Sequence, residues 1–107
     1  MPKNYKVRNQ FRFSKNAEAG YHPHYIFGER GDKYISLGMT SHPKKNHKVV
    51  LLAYTPNPAK NKKQYLHKKV FEMPKKGYEK KRLQGWSFSK EDLPLIRRFK
   101  KRYRKSK

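Results

Sequence analysis

The sequence predicts a small, mainly β domain with a C-terminal α-helix: a strongly curved antiparallel sheet or partly open barrel, capped by that helix. Three observations carry this expectation. Short β-rich runs alternate with Gly-, Pro- and Lys-containing loops, no βαβ alternation occurs, and the only helical periodicity lies at the end of the chain. With 107 residues, 34% of them hydrophobic and 14% aromatic, one domain is the ceiling. Its core must be thin and partly roofed by Lys and Tyr stems.

The elements follow in chain order. His24-Tyr25-Ile26-Phe27 and Tyr34-Ile35-Ser36-Leu37-Gly38-Met39 flank the Gly-containing stretch Gly28-Glu29-Arg30-Gly31-Asp32-Lys33, the pattern of a hairpin. In the second run Ile35, Leu37 and Met39 alternate with Tyr34, Ser36 and Gly38, so one face is apolar. Val49-Val50-Leu51-Leu52-Ala53-Tyr54 is a continuous apolar run stopped by Thr55-Pro56-Asn57-Pro58, which predicts a fully buried strand. A fourth strand is expected from about Gln64 to Phe71, packing through Tyr65, Leu66, Val70 and Phe71. Ala59 to Lys63 and Pro74 to Arg82 lack an apolar period and read as loops.

Leu93, Ile96, Phe99 and Tyr103 fall on one side of a helix whose other sides carry Arg97, Arg98, Lys100, Lys101, Arg102 and Arg104. Asp92 is the preferred N-cap over Ser89, because it leaves Pro94 in the tolerated first turn. The domain is expected to span residues 20–103. A basic segment at 1–19 is expected to order only on binding, and 104–107 form a basic tail.

Composition narrows the function. With 29 Lys/Arg against 7 Asp/Glu the net charge is +22, and no cysteine is present. Disulfide frameworks, thiolate nucleophiles and Cys-based zinc sites are excluded. No segment approaches the roughly 18 apolar residues of a bilayer span, and the basic N-terminus is not followed by an apolar run, so a cytoplasmic protein is expected. A charge of this size recruits polyanions. Residues 1–58 hold 10 Lys/Arg and 3 Asp/Glu, residues 59–107 hold 19 and 4, so the second half builds most of the basic surface. Lysine runs interleaved with Tyr65, Tyr78, Trp86 and Tyr103 suit a surface that tracks phosphates and stacks unpaired bases.

The order Gly20-Tyr21-His22-Pro23-His24-Tyr25-Ile26-Phe27, then Leu37-Gly38-Met39-Thr40-Ser41, Gln64-Tyr65-Leu66, Gly85 and Phe88-Ser89-Lys90-Glu91-Asp92-Leu93 resembles the MazF/PemK family of RNA-cleaving toxins from bacterial toxin–antitoxin modules. The resemblance covers about residues 20–103. It implies a small SH3-like antiparallel barrel with a C-terminal helix, a homodimer, an acidic antitoxin partner, and sequence-selective, metal-independent cleavage of single-stranded RNA with no cofactor.

In such cleavage the 2′-OH attacks the adjacent phosphate, which needs a base, an acid for the 5′-oxygen and donors or cations for the phosphate oxygens. Histidine suits both proton transfers. His22 stands where the family usually has Arg and is the expected proton-transfer residue, with Thr40 and Ser41 holding the phosphate. Arg30, His24, His42, Lys44, Lys45, Tyr65, Lys68 and Trp86 are the expected RNA contacts, Tyr65 and Trp86 as stacking rings. His beside Pro is also a common turn residue, Thr-Ser a common strand end. His22 and His24 have the spacing of a metal pair, but few acids and no Cys complete it, so no metal is expected. The alternative is a non-catalytic nucleic-acid-binding module, ribosome-associated or encoded by a phage or plasmid.

Overall fold

The computed structural model describes residues 10–15, 22–45, 48–58 and 63–105. The remaining positions, which include Gly20, Tyr21 and His47, lie outside the described residues. Five strands, β1 (Gln10–Phe13), β2 (Pro23–Arg30), β3 (Lys33–Thr40), β4 (Val49–Leu51) and β5 (Tyr65–Pro74), form one antiparallel sheet in the order β1-β2-β3-β5-β4. A 3-10 turn at Lys75–Gly77 follows β5, and α1 spans Leu93–Lys105. The chain is therefore a mainly β, barrel-like domain with a C-terminal helix. β1 lies ahead of residue 20, so the sheet draws its first strand from the segment expected to order only on binding.

The β2–β3 hairpin closes through Arg30↔Lys33, leaving Gly31 and Asp32 as a two-residue loop. Gly31 has φ +60° and Asp32 does not share the left-handed region, the pattern of a type II′ turn that glycine enters without Cβ strain. Register shifts between Ile26 and Gly28 and between Leu37 and Met39 bend the two longest pairings. That curvature brings the chain after the 3-10 turn back to the free edge of β1. Lys15 N donates to Gly77 O (2.9 Å), Glu79 N to Phe13 O (2.8 Å) and Leu83 N to Phe11 O (2.7 Å). The stretch expected to be a loop thus pairs with β1 and closes the sheet on that side.

Ile35, Leu37 and Met39 of β3 join Phe11, Tyr25, Phe27, Leu66 and the helix residues Ile96 and Phe99 in one buried cluster. The basic positions Arg97, Arg98, Lys101 and Arg102 stay exposed on the far side of α1. Lys100 instead lies over the sheet-side rings, with Nζ 5.1 Å from the centroid of Tyr25. Burial lowers the pKa of Lys100 and raises that of Tyr25.

Asp92 immediately precedes α1, and its carbonyl accepts the first helical bond from Ile96 N at 3.1 Å. Its carboxylate, however, reaches sideways to accept Ala53 N (2.8 Å), Tyr54 N (3.3 Å) and the Ser89 hydroxyl (2.9 Å). It ties the helix to the chain after β4. The expected fully buried strand at Val49–Tyr54 is corrected: β4 has three residues, pairs only with β5 at the sheet edge and leaves Leu51 half-exposed. An apolar run of this length does not say whether its strand is central or at an edge, and here only Leu52 is fully buried, with Val50 partly buried against the core.

Candidate nucleic-acid interface

β2 begins at Pro23 and β3 ends at Thr40, and the two are antiparallel. His22, Thr40, Ser41 and His42 therefore come to the same end of the sheet from two separate segments. Tyr65, the first residue of β5, pairs with Thr40 and joins them. At this end Thr40 is buried, and its Oγ1 accepts His42 N at 3.1 Å, folding residues 40–42 into a hydroxyl-closed turn. Ser41 Oγ lies 3.0 Å from His42 Nδ1, and that imidazole is exposed. His22 is half-buried, its carbonyl held by Ser14 N at 2.9 Å. Two imidazoles and the Ser41 hydroxyl thus share one polar rim, with the Thr40 hydroxyl buried beside them, a set able to move protons and donate to phosphate oxygens. Lys44 and Lys45 are exposed in the loop that follows, and Lys68 is exposed on β5.

Other expected RNA contacts fall elsewhere. Arg30 ends β2 at the opposite end of the sheet, 3.8 Å from Glu72, so it does not stand beside Thr40. Trp86 is half-buried against Phe11 and Phe13, with ring centroids 5.7 and 6.1 Å apart, and belongs to the packing around β1.

The expectation for His24 is corrected by its burial. Its ring turns inward, Nδ1 lying 3.0 Å from Ser36 Oγ, which in turn is 2.8 Å from the Tyr78 hydroxyl. Phe71 and Tyr78 meet the His24 ring edge-on, both at 5.4 Å. Gly38 leaves room for it, since a Cβ there would sit 3.1 Å from the ring. Burial, helped by the charges of His22 and His67, pulls its pKa down to about 4. The imidazole is thus neutral and structural rather than a contact for RNA. Burial also raises the Tyr78 hydroxyl.

Sequence reasoning did not single out Arg12, Lys15 and Tyr34, which gather on this second face of the sheet with Lys76, Tyr78 and Lys80. Part of the signal was present in the interleaving of Tyr78 with Lys75-Lys76 and Lys80-Lys81. That β1 and the Tyr34 end of β3 would meet this segment had no local marker. Among the described residues no group of three or more His, Cys, Asp or Glu side chains is arranged to hold a metal ion. No helix among them is long and apolar enough to cross a membrane.

Fold and surface together define a small, basic, barrel-like domain with a polar rim at one end of its sheet and cations over much of its exterior. The chain matches no family model, no characterised protein and no solved structure.

Proposed function

We propose that the protein is a metal-independent, sequence-selective endoribonuclease of MazF/PemK type that cuts single-stranded RNA, a toxin held in check by an acidic antitoxin. The observation that carries the reading is the meeting of His22 with Thr40, Ser41 and His42 at one end of the sheet, in a chain of net charge +22. The 2′-oxygen forms a bond to phosphorus as the bond to the 5′-oxygen breaks, leaving a 2′,3′-cyclic phosphate and a 5′-hydroxyl. His22 takes the 2′-hydroxyl proton. The exposed His42 supplies a proton to the departing 5′-oxygen, and the Thr40 and Ser41 hydroxyls donate to the phosphate oxygens. Lys44, Lys45 and Lys68 hold the flanking phosphates, and Tyr65 offers a ring to an unpaired base.

The test is incubation with a long unstructured RNA in EDTA, read on a denaturing gel beside His22→Ala and Thr40→Val. Discrete fragments with cyclic-phosphate ends are expected from the unaltered protein. Loss of the base in His22→Ala should slow cleavage by about 100-fold or more. RNA left intact by the unaltered protein overturns the catalytic reading. A second reading, a non-catalytic RNA-binding module, is favoured by one specific feature: Thr40 is buried and already engaged by His42 N. That reading predicts a shift on a native gel without fragments.

A further inference from the structure

The second face of the sheet carries a cleft of about 380 Å³ between β1, β3 and the chain running from Lys75 to Lys80. Its construction is unusual for a bare charge cluster because the walls are pinned. The Arg12 guanidinium donates to the carbonyls of Glu79 (2.9 Å) and Lys80, and its Nε donates to Gln10 Oε1 at 2.6 Å. Those bonds hold the returning segment against β1. Tyr34 forms the floor, with Arg12 5.8 Å and Lys75 5.4 Å from its ring centroid and the Tyr78 ring edge-on at 5.4 Å. Lys75 is ion-paired with Glu29, and Lys75 N donates to Asp32 O at 2.8 Å, which anchors the rim to the hairpin tip.

With Arg12 and Lys75 committed to the frame, three exposed ammonium groups remain around the opening: Lys15, Lys76 and Lys80. Among the described residues none of the three has an acidic ion-pair partner within 4.0 Å, and the sole carboxylate lining the cleft is that of Glu79. A preformed concavity of this size, with an aromatic floor and a ring of cations, has the dimensions and chemistry of a site for one nucleotide unit and its phosphates. An acidic peptide would match the charge but has no use for the tyrosine floor.

Tyr34 and Thr40 stand at opposite ends of β3, six residues apart, which at the rise of an extended strand is roughly 20 Å. We infer that this cleft is a second RNA-phosphate subsite, which grips a single strand a few nucleotides away from the Thr40 end. The inference rests on the single-stranded RNA reading above but not on cleavage. The subsite raises affinity by making the second contact intramolecular once the first is made.

The experiment uses a labelled 2′-O-methyl dodecauridylate, which has no free 2′-hydroxyl and is not cleaved, titrated by anisotropy at several salt concentrations. The proteins are the unaltered chain, K15Q/K76Q/K80Q, and a charge-matched control on the outer face of α1, R97Q/K101Q/R104Q. The cleft variant is expected to lose at least tenfold in affinity and, with three phosphate contacts gone, about 2 in log–log salt slope, both losses exceeding those of the helix control. Equal losses in the two triple variants overturn the subsite, because they would mean that only total charge matters. Equally tight binding of a polyglutamate chain, with the same loss in the cleft variant, overturns it in favour of an acidic protein partner. A protein that grips the oligomer through the cleft yet leaves ordinary RNA intact keeps the subsite and loses the nuclease. One that cleaves RNA but shows equal losses loses only the subsite.

Discussion

β3 is buried on both sides, and the two sides are built from different chemistry. Toward α1 it presents Ile35, Leu37 and Met39 to rings and aliphatic side chains. On the other side it presents Ser36 and Gly38 to His24, Phe71 and Tyr78. The first face is stabilised by removing apolar area from water, which is non-directional and tolerates small shifts. The second must satisfy hydrogen bonds in a region nearly closed to solvent, so it tolerates one arrangement and one protonation state. The comparison assigns bulk stability to the helix side and sensitivity to pH and to single polar atoms to the other.

The largest effect should come from the helix side. Phe11 packs on Tyr25, Trp86 and Phe88 with ring centroids 5.2, 5.7 and 5.2 Å away. Phe11→Ala is expected to cost about 3–5 kcal/mol in denaturant unfolding. A cost no greater than that of removing the Tyr78 hydroxyl would break the comparison.

Next comes acid. An unfolded imidazole takes up its proton as pH falls through its ordinary 6.5, whereas folded His24 resists until about 4. The unfolded state therefore binds more protons between those values, and stability present above pH 6.5 drains away as pH drops toward 4. The loss is about 3 kcal/mol. Unfolding midpoints measured across this range check it, and His24→Gln should remove this contribution to the slope. An unchanged slope in that variant would show that another group carries the acid sensitivity.

Asp92 lies on the apolar side but behaves like the polar one, since its buried carboxylate accepts three bonds. Asp92→Asn, which turns part of an acceptor into a donor facing amides, should cost about 2 kcal/mol by the same unfolding assay. The smallest effect belongs to Tyr78→Phe. It removes one hydroxyl while Ser36 keeps its bond to His24, so about 1 kcal/mol is expected. A much larger cost would mean that the three groups act as one cooperative network.

Much of this architecture was legible in the residues. The alternation in β3, the hairpin around Gly31, the fourth strand and the helix starting after Asp92 all stand where the periodicities put them, because each depends on neighbours a few positions away. β1 was not legible: four residues, Gln10–Phe13, are too few for a period to declare itself, and while one edge pairs with nearby β2, the other is met by Glu79 and Leu83 from far along the chain. β4 was misjudged for a related reason, since apolar runs do not encode their place in a sheet. For the candidate site, His22, Thr40 and Ser41 are marked by residue type and order, whereas Arg30, expected among the RNA contacts, ends β2 at the opposite end of the sheet.

The sequence by itself determined the charge, the thin aromatic core and the class of fold, all of which follow from composition and short-range period. Only the tertiary structure decided that the second face of β3 is buried, that His24 is an internal neutral group, and that Arg12, Tyr34 and three lysines form a cleft. Those outcomes rest on pairs 12 to 67 residues apart, such as His24 with Ser36, Ser36 with Tyr78, and Arg12 with Glu79. Sheet closure brings such pairs together, and no local pattern records them.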